Sequence, residues 1–320
     1  MSRQHRILIT GIAGFCGSHL AELLLEQDRE VAGIEVEGVG TGNLQRIRDR
    51  IDLRRADIRD ADQVRNVLVD VQPAQIYHLA ALTKPPLDGG RWAFYEVNVQ
   101  GTINLLEAVR TLRLDCSLLI AGSSAQYGMV APDENPIREA QPFRPATHYG
   151  VSKAAQDLAG YRYWAATGLR VIRTRAFNII GPRQSPQFAA SAFARQVAEI
   201  EKGLREPILE VGNLEAQRDF VDVRDVVQAY RLALEQGEPG EVYNVCSGQA
   251  HSIRSVLEGL LTHSTVCGIQ VHQDPERHQL ADVPMQIGDY GKLHRRTGWQ
   301  PQISFEQSLR DLLAHWRGVG

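Results

Sequence analysis

The 320-residue chain reads as an α/β protein, a doubly wound parallel sheet followed by a smaller, interleaved α/β lobe. Three observations predict this. Short apolar runs alternate with helix-length amphipathic stretches through about residue 175, the rhythm of consecutive strand–helix–strand units. The first run ends in a glycine-rich turn, GIAGFCG at 11–17, that opens a helix. Beyond position 178 the elements become shorter and mixed.

The strands and helices follow in order. Residues 6–10 form the first strand, and SHLAELLLEQD after the turn places Leu20, Leu23 and Leu24 at helical spacing. Residues 30–35 and 51–56 are the second and third strands. Residues 75–81 and 116–121 are the fourth and fifth, separated by a helix at 94–111. A helix at 149–168 leads to a sixth strand at 169–175. In the second half a helix at 189–202 and a strand at 208–211 precede RDFVDVRDVVQAY, where Asp222 suits a helix N-cap and Asp225 a capping-box partner. This divides the chain into a dinucleotide-binding lobe at 1–176, with 222–248 returning to it, and a substrate lobe at 177–320.

Composition excludes several classes. With 35 Lys plus Arg against 38 Asp plus Glu the net charge is −3, which offers no footprint for nucleic acid or an anionic membrane. No apolar run approaches about 18 residues and the N-terminus lacks a signal-type apolar segment, so a cytoplasmic protein is expected. Cys16, Cys116, Cys246 and Cys267 form no CxxC pair and are expected to be buried small hydrophobes in a reducing compartment. Without HExxH, an acidic calcium loop or GxSxG, metal and hydrolytic chemistry lack support, and no metal is expected.

The residues that carry chemistry cluster at strand ends. Gly11, Gly14 and Gly17 form GxxGxxG, which lets a backbone approach a pyrophosphate at a helix N-terminus; the competing reading is a tight turn only. Glu35, 24 residues after Gly11, suits a ribose acceptor that repels a 2′-phosphate and favours NAD(H) over NADP(H); the alternative is a simple strand-end residue. Asp57 and Ile58 stand where an adenine would meet an acceptor and an apolar wall, or where a turn starts. Tyr149 and Lys153 form YxxxK, which aligns both on one helix face, where an ammonium lowers the phenol pKa. Only Lys84, Lys153, Lys202 and Lys292 are lysines, so this pairing is improbable by chance. In AGSSAQYG, Ser123 or Ser124 can polarise a substrate carbonyl, or the pair is a polar turn.

Together GIAGFCG, HLAA, SSAQYG and YGVSK resemble the extended short-chain dehydrogenase/reductase family, which implies a Rossmann-type sheet and a nicotinamide cofactor. RAFNIIGPRQS, VGNLEAQRDFVDVRDVVQAY, EVYNVCSG and TGWQPQISFEQSL are similar to its GDP-mannose-type branch, the GDP-6-deoxy-4-keto-D-mannose reductases that form GDP-D-rhamnose. The resemblance implies Ser123 as the catalytic hydroxyl, Tyr149 as the acid and Lys153 as its tuner. Phe15, Cys16, Leu79, Ala80, Ala81 and Asn98 would join the cofactor site. Ser124, Asn178, Arg183, Arg218 and Asp282 would join the substrate site. The family's arginine three residues before that acid is Gln279 here, so either Arg277 replaces it or the contact is lost. Related 4,6-dehydratases carry a glutamate two residues after the catalytic hydroxyl, where this chain has Ala125, which disfavours dehydration. The alternatives are a nucleotide-sugar C4-epimerase with tightly held NAD and a non-catalytic nucleotide-sensing protein. The family's pairing through helices 94–111 and 149–168 implies a homodimer or a dimer of dimers.

Overall fold

The computed structural model describes residues 6–85, 90–274 and 283–319. In chain order, β1 (Arg6–Thr10), α1 (Phe15–Glu26), β2 (Glu30–Glu35), β3 (Ile51–Arg55), α2 (Ala61–Val71) and β4 (Gln75–His78) come first. Then come α3 (Ala93–Tyr95), α4 (Gly101–Thr111), β5 (Ser117–Ser123), α5 (His148–Thr167) and β6 (Arg170–Ala176), with a π-turn at Glu96–Gln100 joining α3 to α4. The second half holds β7 (Asn178–Ile180), α6 (Ala189–Glu201), β8 (Ile208–Val211), β9 (Gln217–Asp222), α7 (Val223–Gln236) and β10 (Val242–Val245). The remainder is β11 (Ala250–Ser252), α8 (Ile253–Thr262), β12 (Gln270–Gln273), β13 (Met285–Gln286), α9 (Gly291–Thr297) and α10 (Phe305–Gly318).

Seven strands form one parallel sheet in the order β10-β6-β5-β4-β1-β2-β3. Its central strands are apolar on both faces, because helices cover both: Ile7, Ile9, Tyr77 and Leu119 pack with α1 and α7, and Leu8, Ile76, Leu118 and Ile120 with the opposite layer. Residues 222–248 return to this sheet through α7 and β10, and α9 follows them with Leu293 and Trp299 in the same core. Helices α6, α8 and α10 build a separate core from Phe193, Val197, Leu257, Leu260, Leu309 and Leu313.

Four expectations need correction. The fourth strand stops at His78 rather than 81, leaving Leu79 to Ala81 as a loop at the sheet's carboxyl edge. The fifth runs on to Ser123, so the catalytic candidate is itself strand. Asp222 does cap α7, accepting from Arg224 N, but Asp225 is no capping-box partner: its carboxylate accepts Gln302 N and Ile303 N, tying α7 to the segment before α10. Cys116 and Cys246 are buried, whereas Cys267 is exposed.

Candidate active site

The glycine turn is shaped by three different needs. Gly11 has φ +70°, and a Cβ there would lie 2.8 Å from Ala80 Cα. A Cβ on Gly17 would meet Gly11 O at 2.2 Å, so this glycine lets α1 start directly against the turn. Gly14 is the N-cap of α1 and supplies no side-chain cap, unlike Asp60, Thr147, Asp222, Ser252 and Ser304 at α2, α5, α7, α8 and α10. The first amides of α1 therefore keep donors for an anion, and this cradle fits a dinucleotide pyrophosphate. Gly17→Ala is expected to weaken NADH or NADPH binding by at least about tenfold, or 1.4 kcal/mol, in isothermal titration. Undiminished affinity would mean that the pyrophosphate lies elsewhere.

A cleft of about 880 Å³ opens at the carboxyl edge of the sheet, between the glycine turn and the second lobe. Gly11, Gly14, Phe15, Cys16, Gly17, Leu79 and Ala81 line one side, and Ser123, Ser124, Tyr149, Asn178 and Arg218 line the other. Ser123 Oγ accepts Ala125 N at 3.2 Å and is hydrogen-bonded to the Tyr149 phenol. Thr147 caps α5, and the first turn of that helix carries Tyr149 to Ser123. Lys153, one turn on, is 3% exposed and donates to Ala121 O at 2.6 Å.

Electrostatics reverse one expectation. Burial pushes the Tyr149 phenol up, with the Ser123 hydrogen bond opposing it. The phenol is therefore a protonated donor at neutral pH. It is the lysine that is poised, since burial pulls the ammonium down to about 7 against the raising influence of Asp157 and Cys16.

Several residues picked from sequence do other work. Glu35 is 8% exposed, and its oxygens accept Ala13 N and Val36 N, so the carboxylate ties the glycine turn to β2 rather than standing open to a ribose. Asp57 is taken by Arg59, whose hydrogen bonds hold its carboxyl below the usual range, and Ile58 is core beneath Gly101. Asn98 is wholly buried and bonded to Leu82 N, Leu82 O and Ser152 Oγ, which makes it a strut under the loop after β4. Ser124 Oγ donates to Gln286 Oε1, and Gln286 Nε2 returns a bond to Ser124 O, so this cleft residue also couples the lobes. Arg183 turns away from the cleft with φ +72° and pairs with Glu22 at 2.6 Å. Ala80 packs against Gly11 behind the cleft wall. Asp282, Arg277 and Gln279 lie outside the described residues.

Sequence reasoning missed the groups that place these side chains. Asp219 is fully buried and accepts Ser247 N, Ser247 Oγ, Gly248 N and Gly288 N, fixing the strand that presents Arg218. Gln126 accepts Ser123 N and donates to Asp157. Lys84 and Arg91 add two cations to the cleft beside Arg218, and no carboxylate lines it among the described residues.

A family model described as GDP-mannose 4,6 dehydratase matches residues 8–312. The chain belongs to this family. It lies within the extended short-chain dehydrogenases/reductases and is an enzyme of the nicotinamide-dependent oxidoreductase type. It is 35% identical to the GDP-6-deoxy-D-mannose reductase of Pseudomonas aeruginosa over 97% of each chain. The human GDP-mannose 4,6 dehydratase is 30% identical over 96% of this chain and 90% of its own. The solved structure of the Pseudomonas aeruginosa RMD protein complexed with NADPH has a TM-score of 0.86 at 34% identity, covering 99% of this chain and all 100% of that one. A Thermus thermophilus UDP-glucose 4-epimerase complexed with NAD has a TM-score of 0.87 at 32% identity, covering 98% and 100%.

Proposed function

We propose that the chain reduces the C4 keto group of GDP-4-keto-6-deoxy-D-mannose with NAD(P)H, giving GDP-D-rhamnose. The observation that carries this reading is a cleft with the Ser123, Tyr149 and Lys153 set and Ala125 two residues after Ser123, with no carboxylate among the described lining residues. A dehydratase must take a proton from carbon, which calls for a base beside C5; a reductase must only give one to oxygen.

When bound, the reduced nicotinamide supplies the hydride. Ser123 and Tyr149 donate to the carbonyl oxygen, and that interaction strengthens as the oxygen gains charge, so it lowers the barrier rather than merely binding the ground state. Burial keeps the phenol protonated until that moment, and Tyr149 then delivers its proton to the new alkoxide. Lys153, held beneath, stabilises the resulting phenolate. Arg218, Lys84 and Arg91 suit the diphosphate of a sugar nucleotide, and the N-terminus of α6, which lines the cleft without a side-chain cap, adds amide donors. Asp282 is proposed for the nucleoside ribose. Either NADH or NADPH serves as reductant in this reading, since the Glu35 carboxylate at the end of β2 is bonded to Ala13 N and Val36 N. Val151, Leu158 and Tyr161 are exposed along α5 and support pairing of two copies through that helix.

The test is to mix the purified protein with GDP-4-keto-6-deoxy-D-mannose and NADH or NADPH. Loss of reduced-cofactor absorbance with formation of a GDP-6-deoxyhexose is expected, and no loss with either cofactor would reject the reading. The likeness to the NAD-bound epimerase favours a second reading, C4 epimerisation. NAD retained stoichiometrically through purification, with no net cofactor consumption, would select it.

A further inference from the structure

A buried chain of hydrogen bonds runs beneath the cleft from β1 to α5, and its direction follows from counting protons. Thr102 Oγ1 donates its one proton to Asn98 O, in the π-turn, at 2.7 Å. It must therefore accept from both other neighbours, His78 Nε2 and Gln156 Nε2, each at 2.8 Å. This assigns the His78 proton to Nε2 and leaves Nδ1 to accept from the Thr10 hydroxyl at 2.7 Å. Thr10 Oγ1 in turn accepts Ala80 N at 3.1 Å. Thr10, His78, Thr102 and Gln156 are each no more than 1% exposed. Burial pulls the His78 imidazole down to about 3, so the ring holds the neutral form that the chain requires.

With its amide nitrogen committed to Thr102, Gln156 can offer only Oε1 on its other side, and that oxygen lies 2.5 Å from Lys153 Nζ. Ala121 O is the second acceptor. The titratable groups that act on the ammonium are Cys16 from α1, His78 from β4 and Asp157 from α5, with Arg173 and Arg175 of β6 behind Asp157. None is a free anion. The Cys16 thiol is pushed up to about 12 by burial, Tyr149 and His78 are neutral, and the Asp157 charge is shared by two guanidinium groups. Beside the shared Asp157 charge, two oriented carbonyl dipoles, those of Gln156 and Ala121, hold the cation.

We propose that Gln156 is a positioning residue for Lys153: its carboxamide, oriented by the Thr10–His78–Thr102 chain, keeps the side chain an ammonium and leaves one N–H for the nicotinamide ribose. The inference rests on the role given above to Lys153.

Because the chain has only four lysines, 13Cε-lysine labelling gives four signals whose titration is read by NMR without substrate or cofactor. In Gln156→Leu the Lys153 midpoint falls by roughly one pH unit, and in Gln156→Glu it rises by at least as much. Thr102→Val, which frees the amide to present its NH2, moves it down as well. Lys84, Lys202 and Lys292 do not move. In turnover, the alkaline fall of kcat follows each midpoint while KM holds. If one Gln156 variant does not fold, the other decides: a Lys153 midpoint equal to that of the wild type overturns the proposal. A shift in the Gln156 variants without one in Thr102→Val overturns the orienting chain. Failure of the reductase reading is separate, since then no reduced cofactor is consumed while the Lys153 midpoint still moves.

Discussion

Tyr149→Phe is expected to lower ketone reduction by about 10³-fold, while NADH or NADPH affinity in isothermal titration stays within a few fold. The variant removes one oxygen from a side chain whose ring remains packed near Phe94, with centroids 6.2 Å apart, so the cleft keeps its shape. What it loses is the phenolic proton that the proposed mechanism delivers to the carbonyl oxygen. Ser123 cannot replace it, because a hydroxyl of ordinary acidity stabilises charge but does not give up its proton at neutral pH. A variant that retains wild-type kcat would remove Tyr149 from the mechanism. A loss confined to KM would make it a binding group only.

Asp157→Asn is expected to cost about 3–5 kcal/mol of stability, read as a lower urea midpoint. The Asp157 carboxylate is 1% exposed and accepts Arg173 Nη1 at 2.5 Å, Arg175 Nε at 2.9 Å and Gln126 Nε2 at 2.9 Å. Burial on its own would push the carboxyl up, but Arg175 and Arg173 outweigh it and hold it below the usual carboxylate range. Neutralising it leaves two buried guanidinium groups with no anion between them, a larger penalty than the loss of any exposed pair such as Arg110–Glu107. Gln126 then competes with the two arginines for a single amide oxygen, which loosens its orientation toward Ser123 N, so kcat falls in the fraction that remains folded. An unchanged urea midpoint would show that the Asp157 charge does not hold the two guanidinium groups in place.

Local sequence carried the fold a long way. The alternation of apolar runs and amphipathic stretches sufficed for the strands and helices because a sheet covered on both faces demands continuous apolar strands, a pattern legible within a few residues. Glycine spacing and the YxxxK spacing were legible for the same reason. Each is set by a turn or a helix face that a few consecutive residues define, and the scarcity of lysine isolated Lys153 from the start. Less legible were the bonds whose partner lies far along the chain. Ser124 reads as a free hydroxyl, and its bond to Gln286, 162 positions away, appears only in the fold. Arg183 reads as a diphosphate ligand until Glu22 of α1, 161 positions away, captures it. Asn98 and Glu35 have the chemistry of ligands and are used as struts, because the backbone amides beside them had no other acceptor.

The residue types and spacings thus determined by themselves which chemistry is available: an uncapped glycine turn for a diphosphate, a phenol and an ammonium on one helix face, and a serine at a strand end. Only the tertiary structure decided the state in which those groups work. Burial, which depends on every element packed around the cleft, keeps Tyr149 protonated and brings Lys153 down to about 7, the reverse of the assignment that proximity alone suggests. Desolvation is a property of the assembled interior, and no spacing along the chain encodes it.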